Sequence, residues 1–478
     1  MMQVVLDALR APEPAIMVLA PLIGAALTAS MPGPRAAWLA ATLSALVAAA
    51  AAILGANSLA KGETATGVAA FAAPLIACCA AAVVVASGAL LKDFSDRAAP
   101  FALALILVMS GSWSAALHAD RWIGVFLAVE TASVACVGVV ALSAAQDRGA
   151  LNGALRLFGM SGAAAGLFLL GAGLIWWGTG AATLHGLSLA AIRAPTLTLL
   201  GVSFVLISVS LRAALAPMHG WAGAVFSRGG HAAVLAVAAI NCVGALAVVL
   251  HLGAHILPAP ALGAGASTLL GVLGAISVVV GSVQSIGAKN LRRLGAYAAT
   301  AQAGCVLLGA ALGSIAGYAA ALVQLVAYAG AVVALQCAAA GAPGARANAM
   351  ETMDGFGRRS PLAGAAVAAA ALSFMGAPLT AGFLGRWQLM EAGIGGGAGW
   401  VAAAGVGASL AGVFYGGRLI ERLYFRRASA TARPAGISRV LLAPALIFGM
   451  AATAIGVAPE ALLRAAAHAA SGLGGPAP

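Results

Sequence analysis

Apolar residues run along this chain in long blocks with no polar face, and short polar stretches divide the blocks. A helix that is apolar all round is either buried in a large core or crosses a membrane. About 20 such residues suffice to span the hydrocarbon. Fourteen candidate spans follow: 14–30, 36–56, 67–91, 98–116, 122–144, 154–177, 195–226, 231–253, 263–288, 292–313, 314–340, 361–393, 398–424 and 437–456. The pair 292–313 and 314–340 is the least clearly separated, because almost no polar linker lies between them. The seventh and twelfth spans are unusually long, and each contains a proline, Pro217 and Pro378. Proline removes a backbone donor and clashes with the preceding turn, so each predicts a helix broken at membrane depth. Such a break is tolerated only where it is buried in protein or lines a wet cavity.

The basic residues test this division. With fourteen spans, the odd-numbered loops share one side and carry 18 of the 25 Lys and Arg residues, from Arg35 through Lys92, Arg228 and Lys289 to Arg439. The other side, with both termini, carries Arg10, Lys61, Arg121, Arg193 and Arg464. That asymmetry is the expectation for cytoplasmic loops, so both termini are expected on the non-cytoplasmic side. The two broken spans lie five apart, and an odd offset makes a repeat of five helices inverted in the membrane. The expected organisation is three N-terminal spans in 1–97, a first five-helix repeat in 98–253, a second inverted repeat in 263–424, and a C-terminal loop and last span in 425–478. Paired broken segments in two such halves point to a transport site.

Composition agrees: 62% of the 478 residues are hydrophobic and 8% are charged, against about a quarter charged in soluble domains. The expected class is an all-α polytopic membrane protein. The net charge of +12 is explained by membrane topology, so no nucleic-acid partner is expected. The six cysteines, Cys78, Cys79, Cys136, Cys242, Cys305 and Cys337, lie in apolar blocks without a CxxC pair. They read as packing residues, with no metal or disulfide framework. No nucleotide-binding glycine motif follows a strand pattern. Residues 1–14 lack a basic n-region and a cleavage site, so no removable signal peptide is expected.

Three ionisable side chains remain inside the apolar blocks: Glu130, Arg212 and Arg386. An ionisable group at bilayer depth costs roughly 2.5–3.5 kcal/mol on insertion scales, and its default reading is functional. Glu130 lies about eight residues into its span, about 12 Å deep at 1.5 Å per residue. The plainer reading is a carboxyl kept neutral by burial or paired for structure alone. A buried acid needs a cationic partner, and Arg212, just before Pro217, is the obvious one. The plainer reading of Arg212 is a snorkelling side chain at a helix end.

Several motifs in order carry a resemblance. They are Trp122-Ile-Gly-Val-Phe-Leu-Ala-Val-Glu130, Gly153-Ala-Leu-Arg-Leu-Phe158 with Trp176-Trp-Gly-Thr-Gly180, Ala216-Pro-Met-His-Gly-Trp221, Lys289-Asn-Leu-Arg-Arg-Leu-Gly-Ala-Tyr297 and Gly376-Ala-Pro-Leu-Thr-Ala-Gly-Phe-Leu-Gly-Arg386. From about residue 90 to 430 the chain resembles the antiporter-like subunits of respiratory complex I, most of all the bacterial subunit N type. It stops soon after the fourteenth span, as the shorter N and M types do, whereas the L type carries a long lateral helix.

The resemblance implies an antiporter-like fold and a proton path through Glu130, Arg212, His219, Asn241, Gln302 and Arg386. It implies a glutamate that modulates the proton affinity of a lysine on the seventh span. Here Arg212 stands in place of that lysine, Arg386 in place of another on the twelfth span, and Asn241 with Cys242 where the eighth span would carry a third. A lysine can lose its proton when buried, whereas arginine effectively never does. His219, whose side-chain type titrates near pH 6.5, is then the better proton carrier, or else a hydrogen-bonded helix terminus. Gln302 holds a central polar position, and Asn241 can hydrogen-bond a water chain or simply pack. His231 and Glu391 are lesser candidates, and Lys289, Arg292 and Arg293 read as topology anchors.

The implied function is a membrane-arm component of a type I NADH:quinone oxidoreductase in the bacterial inner membrane. NADH, FMN, iron–sulfur clusters and quinone would be held by partner subunits, with no cofactor or metal on this chain. Two other readings are a non-pumping scaffold of such a complex, motivated by the missing lysines, and an Mrp-like cation/proton antiporter subunit.

Overall fold

The computed structural model describes residues 12–62, 67–145, 148–189, 192–342, 349–427 and 437–473. Arg10, Arg346 and Arg433, counted above in the charge asymmetry, lie outside them. The described residues are helical apart from short connections and two isolated bridges. The helices are α1 (Pro12–Ala29), α2 (Pro34–Lys61), α3 (Val68–Ser87), α4 (Ala99–His118), α5 (Trp122–Leu142), α6 (Gly149–Thr179) and α7 (Pro195–Arg212). They continue with α8 (Gly220–Arg228), α9 (His231–Ile256), α10 (Gly263–Gly287), α11 (Leu291–Ala311) and α12 (Ile315–Ala340). The last are α13 (Pro361–Met375), α14 (Ala381–Gly395), α15 (Gly399–Tyr424), α16 (Arg439–Val457) and α17 (Glu460–Ser471). Twelve helices among the described residues are long and apolar enough to cross a membrane; α1 and α13 are shorter apolar helices. The protein is an all-α, multi-pass membrane protein.

Helices α9, α11 and α12 are buried almost throughout, whereas α2, α6 and α16 show much of their surface. The outward faces carry leucines such as Leu39, Leu43 and Leu155, as a lipid-facing surface requires. Close helix approach comes from small residues. A Cβ on Gly304 would lie 2.6 Å from the Gly274 carbonyl oxygen, so α10 and α11 meet backbone to backbone. The weakly separated tenth and eleventh spans are divided at Gly313, whose φ of +60° suits glycine. Ser314 then caps α12 by accepting from the Gly317 N–H at 3.1 Å.

The chain leaves helical geometry between α7 and α8 and again between α13 and α14. Each interruption holds one non-glycine residue in the left-handed region, Ala214 (φ 57°) and Leu379 (φ 64°). Such residues cost about 1–3 kcal/mol and persist where the surroundings hold them. Here they do: the Ala216 N–H donates to Ser277 Oγ at 3.0 Å, the Ala214 carbonyl accepts from Thr300 Oγ1 at 3.1 Å, and Trp221 Nε1 donates to the Leu211 carbonyl at 3.0 Å. In the second interruption Thr380 caps α14 through the Phe383 N–H.

Candidate functional site

Arg212 ends α7, fully buried, and its guanidinium is held on every side. Nη2 donates to Glu130 Oε1 of α5 in an ion pair, and Nε donates to Ser133 Oγ at 2.6 Å. Nη1 donates to the Ser208 carbonyl at 2.8 Å and to Ser208 Oγ at 3.0 Å. Glu130 and Ser133 share a face of α5 because they are three residues apart. The Glu130 side chain keeps 21% of its surface exposed and Arg212 2%, so the carboxylate is the open end of the pair. Arg212 therefore does not snorkel. An arginine with five donors in a rigid fork can hold this many acceptors at once, whereas an ammonium has three.

Below the pair, the Arg212 carbonyl is freed by the end of α7 and accepts from Asn241 Nδ2 at 2.9 Å. Asn241 belongs to a π-helical turn, Val237–Asn241, inside α9. Such bulges turn a side chain toward a site and occur often at functional positions. Asn241 Oδ1 is buried with no partner among the described residues. Asn241 thus joins the break at its backbone and makes no contact with the guanidinium.

The second interruption repeats the logic with other groups. The Phe374 carbonyl, near the end of α13, accepts from Arg386 Nη2 of α14 and from Gln302 Nε2 of α11 at 3.1 Å. Arg386 Nη1 donates to Ser409 Oγ of α15 at 3.0 Å, and Gln324 Nε2 of α12 donates to Gln302 Oε1. The Tyr415 hydroxyl lies 3.4 Å from the same carbonyl. Arg386 is buried, and among the described residues no carboxylate lies within ion-pair distance of it. Its Nε and Gln324 Oε1 have no partner among the described residues. The two arginines differ in this respect: one is neutralised by Glu130, the other is solvated by neutral dipoles alone.

His219 is half-buried at the start of α8. Its Nε2 lies 2.9 Å from Gln284 Oε1 of α10, and its ring meets Tyr297 edge-on at 6.4 Å. An amide oxygen only accepts, so Nε2 carries the proton in the neutral ring and Nδ1 is the free acceptor. Beside it, a polar cavity of about 510 Å³ opens among Asn152, Ser227, Tyr297 and three arginines, Arg156, Arg228 and Arg293. His219 is therefore set apart from the Arg212 ion pair, on the side of the basic loops.

One lesser candidate, Glu391, and one residue read as a topology anchor, Arg292, change character. Glu391 is exposed on α14 and joins neither interruption. Arg292 is buried, unlike a loop anchor: it donates to the Gly229 carbonyl at 2.7 Å and bonds to His231 Nε2. Burial follows because the connection before α9 folds back against α11. Sequence reasoning passed over Ser133, Ser208, Gln284, Gln324, Ser409 and Tyr415. Each looks like an ordinary helix residue until the fold shows its partner: Arg212 for Ser133 and Ser208, His219 for Gln284, Gln302 for Gln324, Arg386 for Ser409 and the Phe374 carbonyl for Tyr415.

Comparison with known proteins places this geometry in a family. Residues 119–412 match the family model described as NADH:quinone oxidoreductase/Mrp antiporter, transmembrane. NADH-quinone oxidoreductase subunit N 1 of Solidesulfovibrio magneticus is 30% identical over 366 residues, covering 73% of this chain and 75% of that protein. Among solved structures, a chain of respiratory complex I from Thermus thermophilus superposes with a TM-score of 0.77 at 24% identity, covering 94% of this chain and 98% of that one. A chain of the Mrp complex from Dietzia sp. superposes with a TM-score of 0.84 at 18% identity, covering 97% and 98%. The likeness to these two structures establishes the antiporter-like fold.

Proposed function

The chain belongs to the NADH:quinone oxidoreductase/Mrp antiporter transmembrane family, and from that premise we propose that it is a subunit N-like component of the membrane arm of a proton-translocating NADH:quinone oxidoreductase. Its partners are the other membrane-arm subunits of that complex in a bacterial inner membrane. NADH, FMN, iron–sulfur clusters and quinone belong to those partners, and this chain contributes a path for protons.

The observation that carries the reading is the Glu130–Arg212 pair at the end of α7, linked through the break to Asn241 and echoed by Gln302, Gln324 and Arg386 at the second break. The two arginines keep their charge, so the titrating member of the central pair is Glu130. Protonation of Glu130 removes its charge and leaves Arg212 held by Ser133 and Ser208. The positive field at the break then rises, and a proton on the neighbouring water or polar group is driven onward. Electrostatic coupling of this kind is strong where the dielectric is low. His219, bonded to Gln284 beside the arginine-lined cavity with Nδ1 left as an acceptor, supplies a group that can receive a proton on the entry side. Arg386 sets a fixed charge at the far end.

The test is Glu130→Gln in the purified complex reconstituted into vesicles. The amide keeps an acceptor for Arg212 and cannot ionise. The expected result is quinone reduction with a severalfold fall in protons moved per electron pair. Unchanged pumping with normal assembly would leave the scaffold reading, which the two non-titrating arginines favour. Co-purified Mrp-type subunits in place of NADH- and quinone-binding ones would favour the antiporter reading.

A further inference from the structure

Six titratable side chains that the path above does not use gather at the other face, away from the basic loops. His251 and His255 stand one turn apart on α9, with ring centroids 5.0 Å apart and planes at 81°. His118 ends α4 and lies within electrostatic reach of His251. Asp120 and His185 lie within reach of His255, and Asp120 Oδ1 accepts from the His185 N–H at 3.1 Å. From α12 comes Tyr318, fully buried: a Cβ on Gly253 would sit 2.5 Å from its hydroxyl oxygen. That hydroxyl therefore lies at the level of the two histidines, and it has no partner among the described residues.

A second set of groups leads from the first break to this cluster. Ser110, Trp113 and Ser114 of α4 are buried, and Ser110 Oγ, Trp113 Nε1 and Ser114 Oγ have no partner among the described residues. The Trp113 indole packs against Gly244, three residues past Asn241, whose Oδ1 is also unpartnered. Buried polar atoms are nearly always bonded to protein or to ordered water, and each orphan calls for a reason. Here the orphans form a sequence along one seam between α4 and α9, and a file of water molecules would bond all of them. The His118 Nδ1–H donates to the Ser114 carbonyl at 2.8 Å, because a carbonyl can only accept. Nε2 of the neutral ring is left as an acceptor.

We propose that the α4–α9 seam is a proton exit route to the face opposite the basic loops, with His251 and His255 as its terminal relay and Asp120 with His185 at its mouth. The inference rests on the proton-translocating reading and adds an outlet within the first half of the molecule. A proton arriving at the unprotonated ring nitrogen of His251 makes an imidazolium. That ring releases the proton of its other nitrogen to His255, and His255 passes one on to Asp120 or to solvent. One proton enters and one leaves, and both rings return to neutral. Imidazole can do this because one ring nitrogen accepts a proton while the other gives one up.

Two experiments on the assembled complex test it. First, Ser114→Cys is exposed to a membrane-impermeant thiosulfonate in vesicles of both orientations, with the parent protein as background for the native cysteines. Labelling from the face opposite the basic loops is expected; no labelling from that face overturns the route. Second, proton transfer per quinone reduced is measured for the His251→Gln/His255→Gln double variant and for Tyr318→Phe, which removes one oxygen only. A severalfold fall in the double variant, a smaller fall in Tyr318→Phe and a changed dependence on the pH of the exit side are expected. Normal pumping in either assembled variant overturns the relay. Should Glu130→Gln stop pumping while these variants do not, only the route fails. Should Glu130→Gln also pump normally, the translocating reading itself fails.

Discussion

At the scale of single residues, the central pair is asymmetric in what each partner can do alone. Glu130 can take up a proton and become neutral, whereas Arg212 cannot shed one. Removing the carboxyl therefore leaves a buried cation with only hydroxyl and carbonyl partners, while removing the guanidinium leaves a carboxyl that can neutralise itself. Breaking a buried pair from one side costs about 3–5 kcal/mol. The expected order of thermal destabilisation is Glu130→Leu worst, Arg212→Met next and Glu130→Gln least, because the amide oxygen still accepts from Arg212. Thermal unfolding of the detergent-solubilised complex, followed by size-exclusion chromatography, measures it. A Glu130→Leu variant as stable as the parent would show that the pair is not buried as described.

At the scale of elements, α9 owes its start to a residue far away in the chain. The Asp93 carboxylate, in the connection after α3, accepts from the Ala232 N–H at 3.1 Å and so caps α9 from outside. Burial pushes the Asp93 carboxyl above its usual range, against the opposing pull of that N–H and of Arg292. A raised carboxyl pKa means that the folded chain binds the proton more tightly than the unfolded chain. The resulting cost is absent below the unfolded value, near pH 4. It grows as pH rises and is complete above the folded value. Asp93→Asn keeps an oxygen acceptor and removes the titration. Its melting temperature should gain on the parent's as pH rises through this window, and parallel curves would reject the assignment. Helix contacts give a second prediction. Gly304→Leu should prevent accumulation of the folded chain, because its side chain would meet the Gly274 carbonyl and the Val278 backbone N–H of α10, which cannot give way. Gly166→Leu on α6, with open space around it, should be tolerated; detergent-extracted yield of the two variants compares them.

The spans were legible because hydrocarbon thickness imposes a length, and the breaks because proline is a local signal. The pair Glu130–Arg212 was legible for the same reason that it is rare: a charge in an apolar block has few partners to choose from. Arrangement across helices was not. Whether a serine meets lipid or a buried arginine depends on helix rotation, which a chain apolar all round does not encode periodically, so Ser133 and Ser208 at Arg212 and Ser409 at Arg386 were missed. Arg292 was misjudged because its burial comes from a fold-back of a connection. The histidines of α9 did leave a trace, a pair four residues apart near the end of a span. Their meaning appears only when α4 and α12 bring His118 and Tyr318 beside them.

At the scale of the whole molecule, contacts between connections test the sidedness. A connection can touch another only when an even number of crossings lies between them. Asp93 meets Ala232, Ser143 meets Gly230, Asn290 pairs with Ala349, and the Gly355 N–H donates to the Arg422 carbonyl; all these belong to the basic side. Arg121 pairs with Thr183, and Gly62 approaches His468; these belong to the other side. The described contacts therefore sort into the same two sets as the charges. On the basic side the arginines also bind backbone, as when Arg418 donates to the carbonyls of Ile286, Ser285 and Ala288 at the end of α10. That arrangement favours the cation at the helix C-terminus, and charge and packing agree on which connections share a face. If the basic side is cytoplasmic, α17 and the C-terminus lie across the membrane. Alkaline phosphatase fused after Pro478 should then be active in the intact bacterium, and green fluorescent protein at the same point should be dark. A fluorescent fusion with an inactive phosphatase would invert the molecule, and the histidine cluster of α9 would then open toward the cytoplasm instead of serving as an exit.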